Sequence, residues 1–335
     1  MMNNVLKNTL FFLVGGSVAI TMTGCGPKVK LAEFKKAPIE NCDIMPTKSE
    51  MAHVKPKVVV MPLANGSSDI IKKVDAGNTI ANTTETLLSS SKLVELVDRS
   101  AAEKLRNELS IIELKGDSGK AYQGPNIADM AISGSLNSAS VTAKFTEAST
   151  VCNKEGKCWT TPASCSYSGS ISGTLKVYEL PNLKVSDSFP ISGEKSFSEE
   201  GGCKSNYDKE GLISAAAVKA PDSARVELLN LFSPKGYITE RRENDGKSIF
   251  LCQIGSIDGA AYNLKIKIYS LRKNSNPLTG VTTSEEVMIG EGVISDQVTP
   301  NTAWVLIEDK EISNQIKLGD FVKFNFKKGL LDAFM

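Results

Sequence analysis

The sequence predicts an α+β protein in which an α/β domain, with a mixed sheet and flanking helices, precedes a small all-β barrel. The first part of the chain alternates strand-like and helix-like patterns, the middle carries a long hairpin pattern, and the last part alternates short strands with turns. The 335 residues are 41% hydrophobic and 23% charged, with a net charge of +1. This balance excludes a disordered chain and leaves room for two domains.

The α/β domain is predicted from buried strands that alternate with helices. Residues 57–63 form a β-branched run ended by a proline, which is typical of a strand buried on both faces. Apolar residues then recur at helical intervals over residues 69–91, and Ser100 and Glu103 have the spacing of a helix capping box. Two further strands are expected at residues 92–97 and 128–136.

A long hairpin is predicted next, because apolar and polar residues alternate around a cysteine-rich tip. A strand at residues 184–197 and a helix at residues 208–232 follow, and Pro221 is expected to kink or split that helix. Turn residues and charges at 234–247 then predict a domain boundary.

The chain beyond this boundary is predicted to close as a small β-barrel, without any helix between its strands. Turn sequences such as Asn276-Pro277 and Gly319-Asp320 separate its apolar runs. The expected strands are residues 249–254, 264–269, 287–294, 303–307 and 321–326.

The N-terminus is typical of an export signal, with a short basic region, an apolar run over residues 10–20 and small residues after it. Met22-Thr23-Gly24-Cys25 resembles the bacterial lipobox, which implies cleavage after residue 24 and a diacylglycerol thioether on Cys25. Gly26 follows rather than Asp, which favours the outer membrane. Residues 25–56 are then expected to be a tether. The alternative is an ordinary signal peptide with an incidental cysteine.

Export also indicates that the six remaining cysteines form disulfides, because disulfides persist in the periplasm. Cys152 and Cys158 bracket a turn-like tip, Cys165 and Cys203 flank strands that are expected to be adjacent, and Cys42 and Cys252 remain by subtraction. The alternative is a zinc cluster of Cys152, Cys158, Cys165 and Cys203, which the absence of a CxxC pair disfavours.

The order of motifs resembles a known family. Val58-Val-Val-Met-Pro-Leu63, Val94-Glu-Leu-Val-Asp-Arg-Ser100, Ala128-Asp-Met-Ala-Ile-Ser-Gly-Ser135 and Val177-Tyr178-Glu179 resemble the core of the curli-secretion (CsgG-like) lipoprotein superfamily. The match covers residues 57–235. Residues 236–335, with Gly255-Ser-Ile-Asp-Gly259 and Leu318-Gly-Asp-Phe-Val322, are similar to the terminal barrel of the flagellar H-ring (FlgT-like) proteins.

The residues carry no evident catalytic chemistry. The 39 basic and 38 acidic residues form no basic stripe, which argues against a nucleic-acid partner, and the single histidine, His53, excludes multi-histidine metal sites. No phosphate-loop, GxSxG or HExxH motif is present. We therefore expect a protein that is not an enzyme and has no cofactor or metal, and we expect Asp98-Arg99 to have a structural role.

The expected function is that of a periplasmic scaffold lipoprotein, anchored to outer-membrane lipid through Cys25. The resemblance implies self-assembly or docking with other envelope proteins, as a structural subunit of a flagellar basal-body ring or a secretion-system core. One alternative is a curli-type secretion pore, although the candidate membrane hairpins at residues 138–167 and 188–207 contain charged residues. A second alternative is a regulator or ligand-binding module of a cell-envelope enzyme.

Overall fold

A computed structural model describes residues 26–52, 54–105, 107–109, 124, 127–275 and 277–328. The fold is mixed α+β and mostly strand. The strands are β1 Lys35–Ala37, β2 Lys57–Val60, β3 Glu95–Leu96, β4 Met130–Thr146, β5 Ser149–Cys152, β6 Cys158–Thr161, β7 Ser164–Glu179, β8 Lys184–Glu200, β9 Gly236–Asn244, β10 Lys247–Gln253, β11 Lys265–Ser275, β12 Thr282–Val298, β13 Ala303–Ile307 and β14 Phe321–Phe324. The α-helices are α1 Asp69–Lys73, α2 Ala76–Ser91, α3 Lys209–Lys219, α4 Arg225–Leu231 and α5 Lys310–Gln315. Within the described ranges, no helix is long and apolar enough to cross a membrane.

The first sheet is mixed, as predicted, with the strand order β3-β2-β4-β7-β8. β2 runs parallel to β3 and β4, whereas β7 runs antiparallel to both of its neighbours, β4 and β8. The valines at 58–60 of β2 are fully buried, because strands cover both edges of β2 and side chains cover both faces. β3 has only two residues, which is shorter than the predicted strand at 92–97.

Two predicted elements have different boundaries in the structure. The third strand and the first arm of the hairpin are one continuous strand, β4, with a bulge between Leu136 and Ser138. The single helix predicted at 69–91 is instead α1 and α2, separated at Asp75, which has a left-handed backbone (φ 48°). Gly77, the second residue of α2, allows the start of this helix to approach Leu63 closely, because a Cβ at that position would lie 2.0 Å from the carbonyl oxygen of Leu63.

The helix predicted at 208–232 is split at Pro221, as expected. α3 leads into a 3₁₀ turn, Ala220–Ala224, and then into α4. Asp208 caps α3 by accepting a hydrogen bond from the Gly211 amide at 2.7 Å. These helices pack on the mixed sheet together with α2.

The second body is a closed six-stranded antiparallel barrel, which confirms the predicted barrel. Its order is β9-β10-β13-β12-β11-β14, and β14 pairs back with β9. Two expectations within it are wrong. Residues 240–247, which were expected at the domain boundary, instead lie inside the β9–β10 hairpin, which turns at Asp245 and Gly246 with positive φ values of 47° and 77°. The short helix α5 also interrupts the strands, capped by Asp309.

The expected tether at 25–56 is also wrong for its described residues, because the barrel has an apolar outer patch that these residues cover. Val29 is 3% exposed and packs with Ile249, Trp304 and Leu306. β1 then pairs with β9, and Asn41 forms a bridge with Leu318. A segment held by backbone pairing and buried side chains cannot act as a free spacer.

The sheet and the barrel are joined by buried hydrogen bonds as well as by apolar contact. The Phe324 amide donates to Ser233 Oγ at 2.6 Å. The side chain of Asn230 accepts from the Phe326 amide at 2.9 Å and donates to the Phe326 carbonyl at 3.1 Å. The Asn230 side chain therefore pairs with the backbone of Phe326, just after β14, as a neighbouring strand would. These hydrogen bonds fix α4 to the barrel.

Candidate anchoring and contact sites

The distal halves of β4, β7 and β8 form a three-stranded ribbon, defined here as residues 138–146, 164–172 and 192–200. The ribbon continues past the last contact of β4 with the β2 segment, the bridge between Ala64 and Ser135. α3 covers one of its faces at close range. A Cβ at Gly193 would lie 2.0 Å from the Ala216 carbonyl oxygen, and one at Gly169 would lie 2.7 Å from Leu212 Cβ. These two glycines allow the helix to approach the strands closely.

The opposite face of the ribbon is open and rich in hydroxyl groups, because residues directly across from one another share a face. Ser138 and Ser172 are 2.9 Å apart between their Oγ atoms, and Ser140 and Ser170 are 2.8 Å apart. The hydroxyl residues on this face are Ser138, Ser140, Thr142, Thr146, Ser164, Ser166, Ser168, Ser170, Ser172, Ser192, Ser196 and Ser198. The face is flat and polar and has both donors and acceptors.

The two long edges of the ribbon both carry backbone groups that no strand of the described chain pairs with. The Ser192 amide donates to Ser223 Oγ at 2.9 Å, so this amide points away from β7, and the amides of alternate residues point the same way. Pro190 has no amide hydrogen at this edge. Beyond Ser192, β8 pairs with β7 alone within the described chain, and from Ser138 onward β4 also pairs with β7 alone. Both edges therefore offer backbone groups to a further strand.

The tip of the ribbon is a two-stranded hairpin, β5–β6, closed by the predicted Cys152–Cys158 disulfide. Val151 and Trp159 lie opposite each other and are 64% and 52% exposed. The ammonium of Lys157 lies 5.9 Å from the centroid of the Trp159 ring. The tip thus presents an exposed aromatic and aliphatic pair on a covalently closed turn. Sequence reasoning missed its exposure because it assigned one buried face to the whole hairpin.

The second predicted disulfide, Cys165–Cys203, ties β7 to the loop that follows β8. Tyr167 reinforces the same connection, since its hydroxyl accepts a hydrogen bond from the Lys204 amide at 2.6 Å. Its ring also stacks on Phe197, with centroids 5.0 Å apart, and contacts Tyr207 at 4.4 Å. This aromatic cluster holds the base of the tip. The zinc cluster considered for these cysteines is wrong, because all four are joined in disulfides.

The pairing of Cys42 with Cys252, expected by subtraction, is also wrong. Cys252 is fully buried within the barrel, whereas Cys42 is a buried thiol that contacts the Gly319 turn, and both are free. Burial raises the pKa of the Cys252 thiol. Burial raises the pKa of the Cys42 thiol as well, with Asp320 adding to the effect. Burial therefore favours the protonated form of both thiols.

The predicted lipidation site, Cys25, lies outside the described residues, but the residue after it is firmly placed. A Cβ on Gly26 would lie 2.5 Å from the ring of Tyr262 and 2.9 Å from Asn263. The Val29 amide donates to Asp296 Oδ1 at 2.8 Å. Gly26, the first described residue, therefore lies at the barrel surface.

A cleft of about 400 Å³ lies where the sheet and the barrel meet. Its apolar lining includes Leu93, Met130 and Phe232, and its charged lining includes Lys92 and Glu50. Tyr237 also lines it, and burial, with Glu50 and Glu286 nearby, raises the pKa of its hydroxyl. The cleft could hold a small, partly apolar ligand.

Asp98 and Arg99 make structural contacts. Asp98 accepts a hydrogen bond from the Ser100 amide at 2.7 Å, and this bonding lowers the pKa of the carboxyl group. Arg99 pairs with Glu85 on α2 and donates to Asn78 at 3.0 Å. Within the described part of the chain, no group of three or more His, Cys, Asp or Glu residues is placed to hold a metal ion.

Comparisons with known proteins give no family. No family model matches the chain, and no curated protein matches it. Among solved structures 28 chains match. One is a dodecamer of a PelC variant from Paraburkholderia phytofirmans, with 12% sequence identity and a TM-score of 0.23. The match covers 56% of this chain and 93% of that chain. A similarity this weak supports no inference about function.

Proposed function

We propose that this protein is a non-enzymatic scaffold lipoprotein of the periplasm, anchored in the outer membrane through Cys25. In this proposal it is a structural subunit of a ring or another large envelope complex, of the flagellar basal-body or secretion-core type. The export signal, the lipobox and the resemblance to curli-secretion lipoproteins support the proposal. The observation that carries it is the ribbon, a stiff extension of the sheet with two available edges.

The ribbon is suited to contact because it is already ordered before a partner binds. α3 backs one face, and the disulfides close its tip and fix its base. A partner that binds such a surface loses little conformational entropy in ordering it, which favours affinity. The open face supplies hydroxyl groups for polar contacts, and the exposed Trp159 at the tip supplies an apolar anchor.

The edges also suit a head-to-tail arrangement of copies. The available edges of β4 and β8 lie on opposite sides of the ribbon, so the β8 edge of one copy can meet the β4 edge of the next. Such a heterologous contact closes into a ring when the rotation between copies permits. Because both strands are antiparallel to β7, the new ladder would be parallel.

The test combines size with an edge-specific variant. Wild-type protein, extracted from outer membrane with mild detergent, is expected to run as a large complex on blue-native electrophoresis and to form particles visible by electron microscopy. Ser196→Pro removes an outward amide without removing a bond to β7, and Pro190 already occupies an equivalent position in β8. Ser196→Ala, which keeps the amide, is the matched control.

We expect Ser196→Pro to dissociate the complex and Ser196→Ala to leave it intact, with both variants unfolding at the wild-type temperature. A wild-type protein that runs as a monomer and crosslinks to no envelope protein in cells would overturn the scaffold proposal. A complex that survives Ser196→Pro would be compatible with the scaffold proposal but would exclude assembly through the β8 edge.

The cleft favours a second candidate, in which the protein binds a small envelope ligand such as a peptidoglycan fragment. Titration calorimetry of the full-length protein with muropeptides tests it. Met130→Trp would fill the cleft, whereas Met288→Trp, at an exposed position of β12, is the control. Binding that Met130→Trp abolishes and Met288→Trp preserves would support this candidate, and absence of binding would exclude peptidoglycan fragments.

A further inference from the structure

The segment that follows the candidate lipidation site is part of the barrel surface over its whole first half. Val29 is buried in an apolar patch, β1 pairs with β9, and the Cys42 amide donates to the Leu318 carbonyl at 2.9 Å. The guanidinium of Arg242 lies over the ring of Trp304 at 4.8 Å, beside the same patch. Detaching this segment would expose buried apolar side chains and break a strand pairing, so it stays attached in the folded protein.

The segment that packs on the barrel begins at Gly26, the residue directly after the candidate lipidation site. A side chain at this position would collide with Tyr262, so glycine allows the backbone to lie against the aromatic ring. Consecutive Cα atoms are about 3.8 Å apart across a trans peptide bond. A lipid attached to the preceding residue therefore leaves the protein beside the loop that carries Tyr262 and Asn263.

We propose that this protein has a spacer-free lipid anchor, so that the barrel surface around Gly26 and Tyr262 rests directly on the phospholipid headgroups. This inference rests on the proposed lipidation of Cys25. It commits the barrel to the membrane-facing side and fixes the orientation of the whole chain, because α4 and the barrel are joined by hydrogen bonds. A tethered lipoprotein would instead sample many orientations.

The chemistry of the surface suits a bilayer interface. Tyr262 is 40% exposed, and tyrosine favours this zone because its ring is apolar and its hydroxyl is polar. Lys28 and Lys30 are exposed on either side of buried Val29; the Lys30 ammonium pairs with Glu33 at 3.2 Å, and Lys28 supplies positive charge for phosphate groups. Lys265 is exposed on the adjoining strand, in a groove of mixed charge that contains Gly26 and Pro27 and is lined by Lys265, Lys327, Glu291 and Glu308.

The experiment places a fluorescent reporter at this surface. The reporter chain carries Trp159→Phe and Tyr262→Trp, and the comparison chain is wild type, whose Trp159 lies at the ribbon tip. Trp304 is common to both. Each lipidated full-length protein is reconstituted into phosphatidylglycerol and phosphatidylethanolamine vesicles that contain a brominated phospholipid, and the loss of tryptophan fluorescence is measured.

A third chain adds a spacer to the reporter. A flexible Gly-Ser insertion of about 12 residues between Pro27 and Lys28 has a root-mean-square reach of about 19 Å and leaves Val29 docked. We expect greater fluorescence loss in the reporter chain than in wild type, and a return to the wild-type loss when the spacer is inserted. Equal loss in reporter and wild type, or no effect of the spacer, would overturn the inference.

Two controls separate this inference from the proposed function. Mass spectrometry of the N-terminal peptide detects the lipid on Cys25, and flotation of the vesicles detects membrane attachment. A chain without the lipid overturns both the anchor and the inference. A chain that is lipidated and floats, but shows no spacer-dependent quenching, overturns only the spacer-free contact.

Discussion

Removing the Cys165–Cys203 disulfide should destabilise the protein much more than removing Cys152–Cys158. The perturbation is Cys165→Ala with Cys203→Ala, compared with Cys152→Ala and Cys158→Ala. The bonds join residues 38 and 6 positions apart, so the lost constraint on the unfolded chain is about 4 kcal/mol in the first variant and about 2 kcal/mol in the second.

The structure should widen this difference. Cys165 is fully buried beside Tyr167 and Leu212, so its bond fixes part of the folded core. β5 and β6 pair only with each other in the described chain, and their loss need not unfold the sheet. The assay is urea unfolding followed by circular dichroism, preceded by non-reducing peptide mapping of the wild type. Equal destabilisation of the two variants, or a different pairing in the peptide map, would refute the reasoning.

Three further outcomes are expected. Gly193→Ala should destabilise the protein by about 1–3 kcal/mol, since its Cβ would collide with the α3 backbone, whereas Gly202→Ala, with nothing within 4 Å, should be neutral in the same urea assay. In a Cys25→Ser chain, maleimide should label no thiol in the native state at pH 8 and two after denaturation; native labelling would contradict the burial of Cys42 and Cys252. Burial opposes ionisation of Glu286, but bonds from Lys235 and Lys323 outweigh it and lower the carboxyl pKa below 4.5. The stability that wild type gains over Glu286→Gln should therefore be present above pH 4.5 and disappear as pH falls through the folded-state pKa, and a pH-independent difference would exclude this linkage.

The local sequence was sufficient to predict structure where a residue restricts its own backbone or where apolar residues recur at a regular spacing. Pro221 divides its helix whatever packs around it, because proline cannot donate to the helical ladder. The alternation in β7 likewise predicts one buried face, and its odd-numbered residues from Cys165 to Leu175 are buried. The disulfide at the tip was predictable because a short turn brings its two cysteines together.

Long-range contacts explain what sequence reasoning did not predict. The break between α1 and α2 depends on the approach of Gly77 to Leu63, which sequence spacing does not reveal. Cys252 lies among apolar side chains because the barrel closes around it. An even number of cysteines suggested that it was paired, and the count alone could not show that its thiol is free. For residues 25–56, expected to be a tether, the sequence does contain a signal for packing on the barrel. Val29, Leu31 and Phe34 are apolar residues in a segment otherwise rich in charge, and all three pack on the outer patch of the barrel.

The position of Trp304 shows how these contacts alter the functional interpretation. Its strand, β13, lies between β10 and β12, so its backbone is paired on both sides. Its ring is nevertheless outside the barrel, where the segment around Val29 and the guanidinium of Arg242 cover it. The patch that would otherwise be an exposed apolar site is therefore occupied by the chain's own N-terminal residues. The ribbon, with its uncovered hydroxyl face and its two available edges, is therefore the surface that we propose for a protein partner, and the docked segment is the one that we propose to hold the barrel at the membrane.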